Sequence, residues 1–215
     1  MAPWLAIAAS IYALIAPMAL VLFVRRSLKL RDREVRRRRL RAAVHATFIL
    51  EAVAPVLISL ASGVTWWLGP PSALGLALAA ILYPADLGIH AAFALISCER
   101  GRCRVSLRPR PLAEVARGLL NQLYYIGLPE EFTYRGLLVS HLSLVMGDWP
   151  AALASALAFG LFHLPHHGRL KAIETTLSGL IYASLMLISR SVWPSVALHV
   201  ALNLFVAIEK GPKAS

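Results

Sequence analysis

Pro3 to Val24 read PWLAIAASIYALIAPMALVLFV, and Arg25 to Arg41 read RRSLKLRDREVRRRRLR. The first stretch holds no acid and no base. The second holds ten of the chain's 22 lysines and arginines. About 20 mostly apolar residues cross a bilayer as a helix, and basic loops beside such spans mark the cytoplasmic side. The stretch does not read as a cleavable signal peptide. It is long, and Arg25-Arg26 follow it where small residues should stand. Composition extends the reading to the whole chain. Of 215 residues 58% are hydrophobic and 15% charged, whereas soluble domains carry about 25% charged residues.

Working outward, further spans are predicted at Ala42 to Trp67 and Ser72 to Ser97, with Gly69-Pro70-Pro71 as the turn between them. Others follow at Ile126 to Met146, Pro150 to Pro165, Ile173 to Ser189 and Pro194 to Ile208. Leu112 to Tyr125 (LAEVARGLLNQLYY) reads as an interfacial amphipathic helix or as part of an eighth, re-entrant element. The expected fold is an all-α polytopic transmembrane helix bundle of seven to eight spans. It forms a single integral membrane domain over residues 1–215. A motif-bearing core at 112–209 follows N-terminal spans at 3–97, which carry the basic loop 25–41. With the N-terminus outside, every lysine and arginine except Arg135 and Arg190 falls on the inner side, as the positive-inside rule requires. Trp66, Trp67, Trp149 and Trp193 then sit at outer interfaces and read as an aromatic belt. The Ala-, Arg- and Leu-rich composition points to a bacterial inner membrane.

The net charge of +11 is concentrated in loops between spans, which suits anionic headgroups better than nucleic acid. Cys98 and Cys103 (CERGRC) lack the further ligands that a zinc site needs. In a cytoplasmic loop they read as reduced, structurally neutral thiols.

An ionisable group inside hydrocarbon costs roughly 2.5–3.5 kcal/mol at a helix centre, so each one calls for a partner or a task. The spans hold Glu51, Asp86, His90, Glu130, Glu131, Arg135, His163 and His199, with Asn203 beside them. In Leu128-Pro129-Glu130-Glu131, Pro129 suits the first position of a helix, which puts both glutamates in a first turn that favours anions. Glu131 and Arg135 are four apart and can pair. Glu130 faces elsewhere and has no evident cation. A carboxylate desolvated in this way is a usable general base. The bland reading is that both acids and Arg135 form one structural ion cluster. His163, alone, reads as a packed and satisfied histidine. His199 and Asn203 are four apart on one helix face and could donate to a developing oxyanion. Counting about 1.5 Å per residue from the inner helix ends, Glu130, His163, His199 and Asn203 can meet in the inner half of the bilayer, in a cavity open to the cytoplasm. Asp86 with His90 reads as a hydrogen-bonded pair supporting the bundle, and Glu51 and Glu174 read likewise.

The series Glu130-Glu131…Arg135, Phe159…His163 and His199…Asn203 resembles the motifs of the CAAX protease and bacteriocin-processing family. That family, also called Abi, includes the type II CAAX prenyl endopeptidases. The three motifs stand in the family's order over Glu130 to Asn203, and the first ~110 residues carry none of them. The resemblance implies a glutamate-dependent intramembrane endopeptidase without cofactor or metal. Glu130 would activate water, with His163 holding it. His199 and Asn203 would stabilise the oxyanion, and Glu131 and Arg135 would position Glu130. The better-known members resemble eight-helix bundles, and Leu112 to Tyr125 would be the eighth element.

The expected partner is a membrane-bound protein or peptide substrate within the lipid bilayer; in a bacterium, a peptide precursor or anchor segment fits better than a prenylated tail. Three other functions are compatible with part of the pattern. A non-catalytic immunity or scaffold protein could use the same fold. His163, His166 and His167 with nearby acids could suggest zinc, although no His-Glu-x-x-His is present. A proton-coupled transporter would also place Glu and His in spans, but the paired broken helices of transporters are missing.

Overall fold

The computed structural model describes residues 3–97, 103–107 and 112–210. Among them are seven main helices: α1 (Pro3–Leu28), α2 (Arg33–Ser62), α3 (Ala73–Ser97), α4 (residues 112–146), α5 (residues 148–167), α6 (residues 169–189) and α7 (Trp193–Phe205). Four are long and apolar enough to cross a membrane: Trp4–Leu28, Arg33–Ser62, Ala73–Ser97 and His167–Ser189. The burial pattern agrees. Leu14, Ile15, Leu57, Leu74, Ile81, Leu95, Leu153 and Leu161 face outward, while Glu131, Arg135, Asp86 and His141 are fully buried. Apolar outside and ionic inside is the arrangement of a helix bundle dissolved in lipid.

Several boundaries differ from those predicted. α2 ends at Ser62, not Trp67. Gly63 adopts φ +76°, and its N–H and that of Val64 return to Leu60 and Ser59 carbonyls, the left-handed stop that glycine permits. Leu112 to Tyr125 is not a separate helix. It is the first half of α4, and the helical path runs unbroken into the acidic motif. Pro129 therefore lies inside a helix. It cannot donate to the carbonyl four residues back, and its ring crowds that position. The chain accommodates it with a widened π-turn over Leu123–Gly127. A second π-turn covers Phe132–Val139. Since Gly127 keeps helical angles, the glutamates have no free helix N-terminus beside them, and the expected dipole contribution falls away. α7 ends at Phe205 instead of reaching Ile208; Val206–Lys210 pairs antiparallel with Cys103–Leu107 as a short ribbon. Cys98 with the rest of residues 98–102, residues 108–111 and the tail after Lys210 lie outside the described residues.

α4 is the axis of the bundle. Every residue from Glu131 to His141 is buried. The kink between α5 and α6 is made by Gly168 at φ +82°. Beyond it the two helices close tightly: a Cβ on Gly160 would stand 1.9 Å from Thr176 Oγ1 and 2.5 Å from the Ala172 carbonyl. Trp67 is no belt residue. It is fully buried, its Nε1 donates to Ser59 Oγ at 3.1 Å, and its ring packs on Phe132 and against Gly136. Trp149, by contrast, is 59% exposed. It neighbours Asp148, which pairs with Arg190 at 3.2 Å, and Arg190 lies over the Trp66 ring.

Candidate active site

The acidic motif of α4 turns two side chains in different directions, as adjacent helical residues must. Glu131 is fully buried, and its Oε1 lies 3.3 Å from Arg135 Nη1. Arg135 is itself fully buried between aromatic faces, 4.3 Å over Phe159 and 5.2 Å over Tyr182. A guanidinium stacked this way keeps favourable electrostatics where water is excluded. Gly179 makes the space: a Cβ there would come within 3.1 Å of Arg135 Nη2.

The same Glu131 oxygen accepts from His199 Nδ1 at 2.8 Å. The carboxylate can only accept, so Nδ1 carries the proton and Nε2 is the free ring nitrogen. Nε2 lies 3.8 Å from Glu130 Oε2. His199 thus bridges the two glutamates. The predicted Glu131–Arg135 pair is present, but Glu131 holds His199 directly. Glu130, expected to have no evident cation, has His199 Nε2 within 3.8 Å.

His163 is fixed through Nδ1, which donates to the Phe159 carbonyl at 2.9 Å. Its ring lies 4.6 Å from Phe159 and 5.8 Å from His167. Phe159 therefore touches Arg135, Tyr134 and His163 together, which accounts for an aromatic residue at that position. Asn203 donates from Nδ2 to Gln122 Oε1 at 3.1 Å.

Glu130, His163, His199 and Asn203 all line one cavity of about 220 Å³. Three helices deliver them, α4, α5 and α7, with α6 closing the wall. The cavity is also lined by His90, His167, Lys171, Thr175, Ser178 and Tyr182, none of which the motif reading had placed there. His167, which the sequence offered as part of a zinc reading, is part of this wall. Among the described residues no group of three or more His, Cys, Asp or Glu side chains is arranged to hold a metal ion.

Most of the remaining intramembrane groups have side-chain partners. Asp86 accepts from Tyr182 Oη at 2.6 Å, and His90 Nδ1 lies 3.5 Å from its other oxygen. His90 Nε2 lies 3.0 Å from Glu174, which Lys171 also grips at 2.5 Å. His141, which the motif reading overlooked, is a fully buried structural histidine between Ser62 Oγ (2.9 Å) and the Leu137 carbonyl (2.9 Å). Glu51 is 3% exposed on α2, and its carbonyl accepts from Thr133 Oγ1 at 2.8 Å.

Residues 113–205 match the family described as type II CAAX prenyl endopeptidase Rce1-like. The matched stretch contains all three motifs and the whole Glu130–Glu131–Arg135–His163–His199–Asn203 set, so this part of the chain is similar to that family, whose description implies a protease. No curated protein and no solved structure matches the chain.

Proposed function

We propose that this chain is an intramembrane endopeptidase that hydrolyses a peptide bond of a membrane-associated protein or peptide with a glutamate-activated water. The observation that carries the proposal is the bridge at His199: one ring nitrogen on the buried Glu131 at 2.8 Å, the other 3.8 Å from Glu130 at the cavity wall. Two adjacent carboxylates are thereby given different tasks. Glu131 is spent on holding His199 and Arg135. Glu130 remains at the cavity and is the base.

Water bound between Glu130 and His163 attacks the scissile carbonyl, and Glu130 takes its proton. His163 donates its Nδ1 proton to a backbone carbonyl, so Nε2 presents a lone pair that orients the water. The oxyanion that develops is met by His199, when protonated at Nε2, and by the Asn203 amide. The proton on Glu130 then passes to the leaving amine. No covalent enzyme intermediate is required. The Gln122 contact fixes the Asn203 amide at the wall from outside the three motifs. Seven crossings, an N-terminus outside and a cavity open to the cytoplasm are the topology that goes with this reading; the placement of Lys and Arg supports it.

The test is a comparison of membrane proteomes from cells carrying wild type or Glu130→Gln at matched expression. The proposal expects a precursor whose intact terminus persists only with the variant. Identical profiles, with any wild-type phenotype surviving the substitution, would instead favour a non-catalytic scaffold.

A further inference from the structure

His199 has one close polar anchor, Nδ1 on Glu131 at 2.8 Å; its Nε2 contact to Glu130 is longer, at 3.8 Å. The bond from Nδ1 to Glu131 fixes that nitrogen but does not by itself stop the ring from swinging and carrying Nε2 away from Glu130. What stops the swing is Tyr182. Its ring lies face to face with the imidazole, centroids 5.2 Å apart and planes 23° from parallel. The Phe159 edge, at 6.4 Å and 76°, closes the other approach.

Tyr182 is itself held at both ends. Its hydroxyl donates to Asp86 Oδ2 at 2.6 Å. Its carbonyl accepts from Ser195 Oγ at 2.8 Å, and Ser195 is one turn before His199 on α7. Tyr182 thus joins three helices: α6 that carries it, α7 that carries His199, and α3 that carries Asp86. Asp86 is fully buried, and His90 packs against it on the same helix. A carboxylate in so dry a place is costly, more than a lone tyrosine needs for packing. Residues 73–97 lie outside the stretch that matches the Rce1-like family, so nothing in that match gives Asp86 a task.

We infer that Asp86 and Tyr182 are positioning residues: the Asp86–Tyr182 hydrogen bond sets the depth and tilt of the Tyr182 ring, and that ring holds His199 with Nε2 toward Glu130. The catalytic consequence rests on the function proposed above; the placement of His199 does not. The N-terminal half of the chain then contributes to the site through α3.

The experiment uses the full chain in lipid nanodiscs with ¹⁵N-labelled histidine, His199 being assigned among the seven histidines by the signal lost in His199→Gln. Tyr182→Phe, Asp86→Asn and the double variant are compared with wild type. Tyr182→Phe keeps the ring and removes the anchor. The double variant removes the hydroxyl together with the buried charge, so no unpaired carboxylate is left to unfold the protein. Expected are displaced or split His199 ring-nitrogen signals in all three. Turnover of the precursor that accumulates in Glu130→Gln membranes is expected to fall about tenfold or more in kcat with KM unchanged, since small misplacements of a catalytic group are that costly. The double variant is expected to regain wild-type thermal stability without regaining the His199 signal. A merely structural pair would recover both together, and that result overturns the inference. If Glu130→Gln accumulates no precursor, the protease reading fails by itself; the His199 signals still decide the brace, which stands if they move and falls if they do not.

Discussion

One oxygen of Glu131 is shared by His199 Nδ1 at 2.8 Å and Arg135 Nη1 at 3.3 Å. That shared atom decides how the acidic pair divides its work. A fully buried anion held by one hydrogen bond and one ion pair is a fixture, and the neighbouring Glu130 stays available at the cavity.

Removing the Glu131 charge alone leaves Arg135 buried without a counter-ion. Glu131→Gln should therefore destabilise the protein by about 3–5 kcal/mol, as for other broken buried pairs. Glu131→Gln with Arg135→Met should recover much of that loss. Thermal denaturation in detergent micelles measures both.

Phe159 underlies the Arg135 guanidinium and the His163 ring. Phe159→Ala should cost about 3–5 kcal/mol, the usual range for a buried phenylalanine. Phe159→Leu should cost less in stability, but it should lose activity because the stacked face is gone. Comparing melting with turnover separates the two effects.

The α5–α6 approach has no room at Gly160. An added methyl meets Thr176 Oγ1 and the Ala172 carbonyl, and overpacking of this kind costs about 1–3 kcal/mol. Gly160→Ala should lower the melting temperature, and adding Thr176→Ala should restore only part of it, because the backbone carbonyl remains.

Asn203 reaches the cavity while its amide is steered by Gln122. Asn203→Ala should reduce kcat by about 10²–10³, the cost of one oxyanion donor. Gln122→Ala should reduce it less, because it frees the donor without deleting it. Steady-state kinetics on the accumulated precursor distinguishes these cases.

The solvent, the helical class and the three motifs were legible because they are local. Pro3 to Val24 declares lipid by its own composition, and Glu131–Arg135 or His199–Asn203 share a face by helical spacing alone. What escaped was long-range or hidden in backbone detail. Tyr182 reads as one more apolar residue of a span, and nothing near it names Asp86, 96 residues away, as its partner. Gln122 lay in a stretch whose continuity with α4 depended on the π-turn before Pro129, which no periodicity reveals. Trp67 had the type and place of an interfacial anchor. Only the gap at Gly136 on α4 explains why it is in the core instead.

The central claim, that Glu130 is the base of a protease, is tested most directly on purified chain reconstituted in liposomes with the accumulated precursor. Wild type should cut it and generate a new terminus detectable by mass spectrometry. Glu130→Gln, folded to the same melting temperature, should be slower by about 10²–10⁴, the span of general-base contributions. Cleavage by the variant at the wild-type rate would contradict the account.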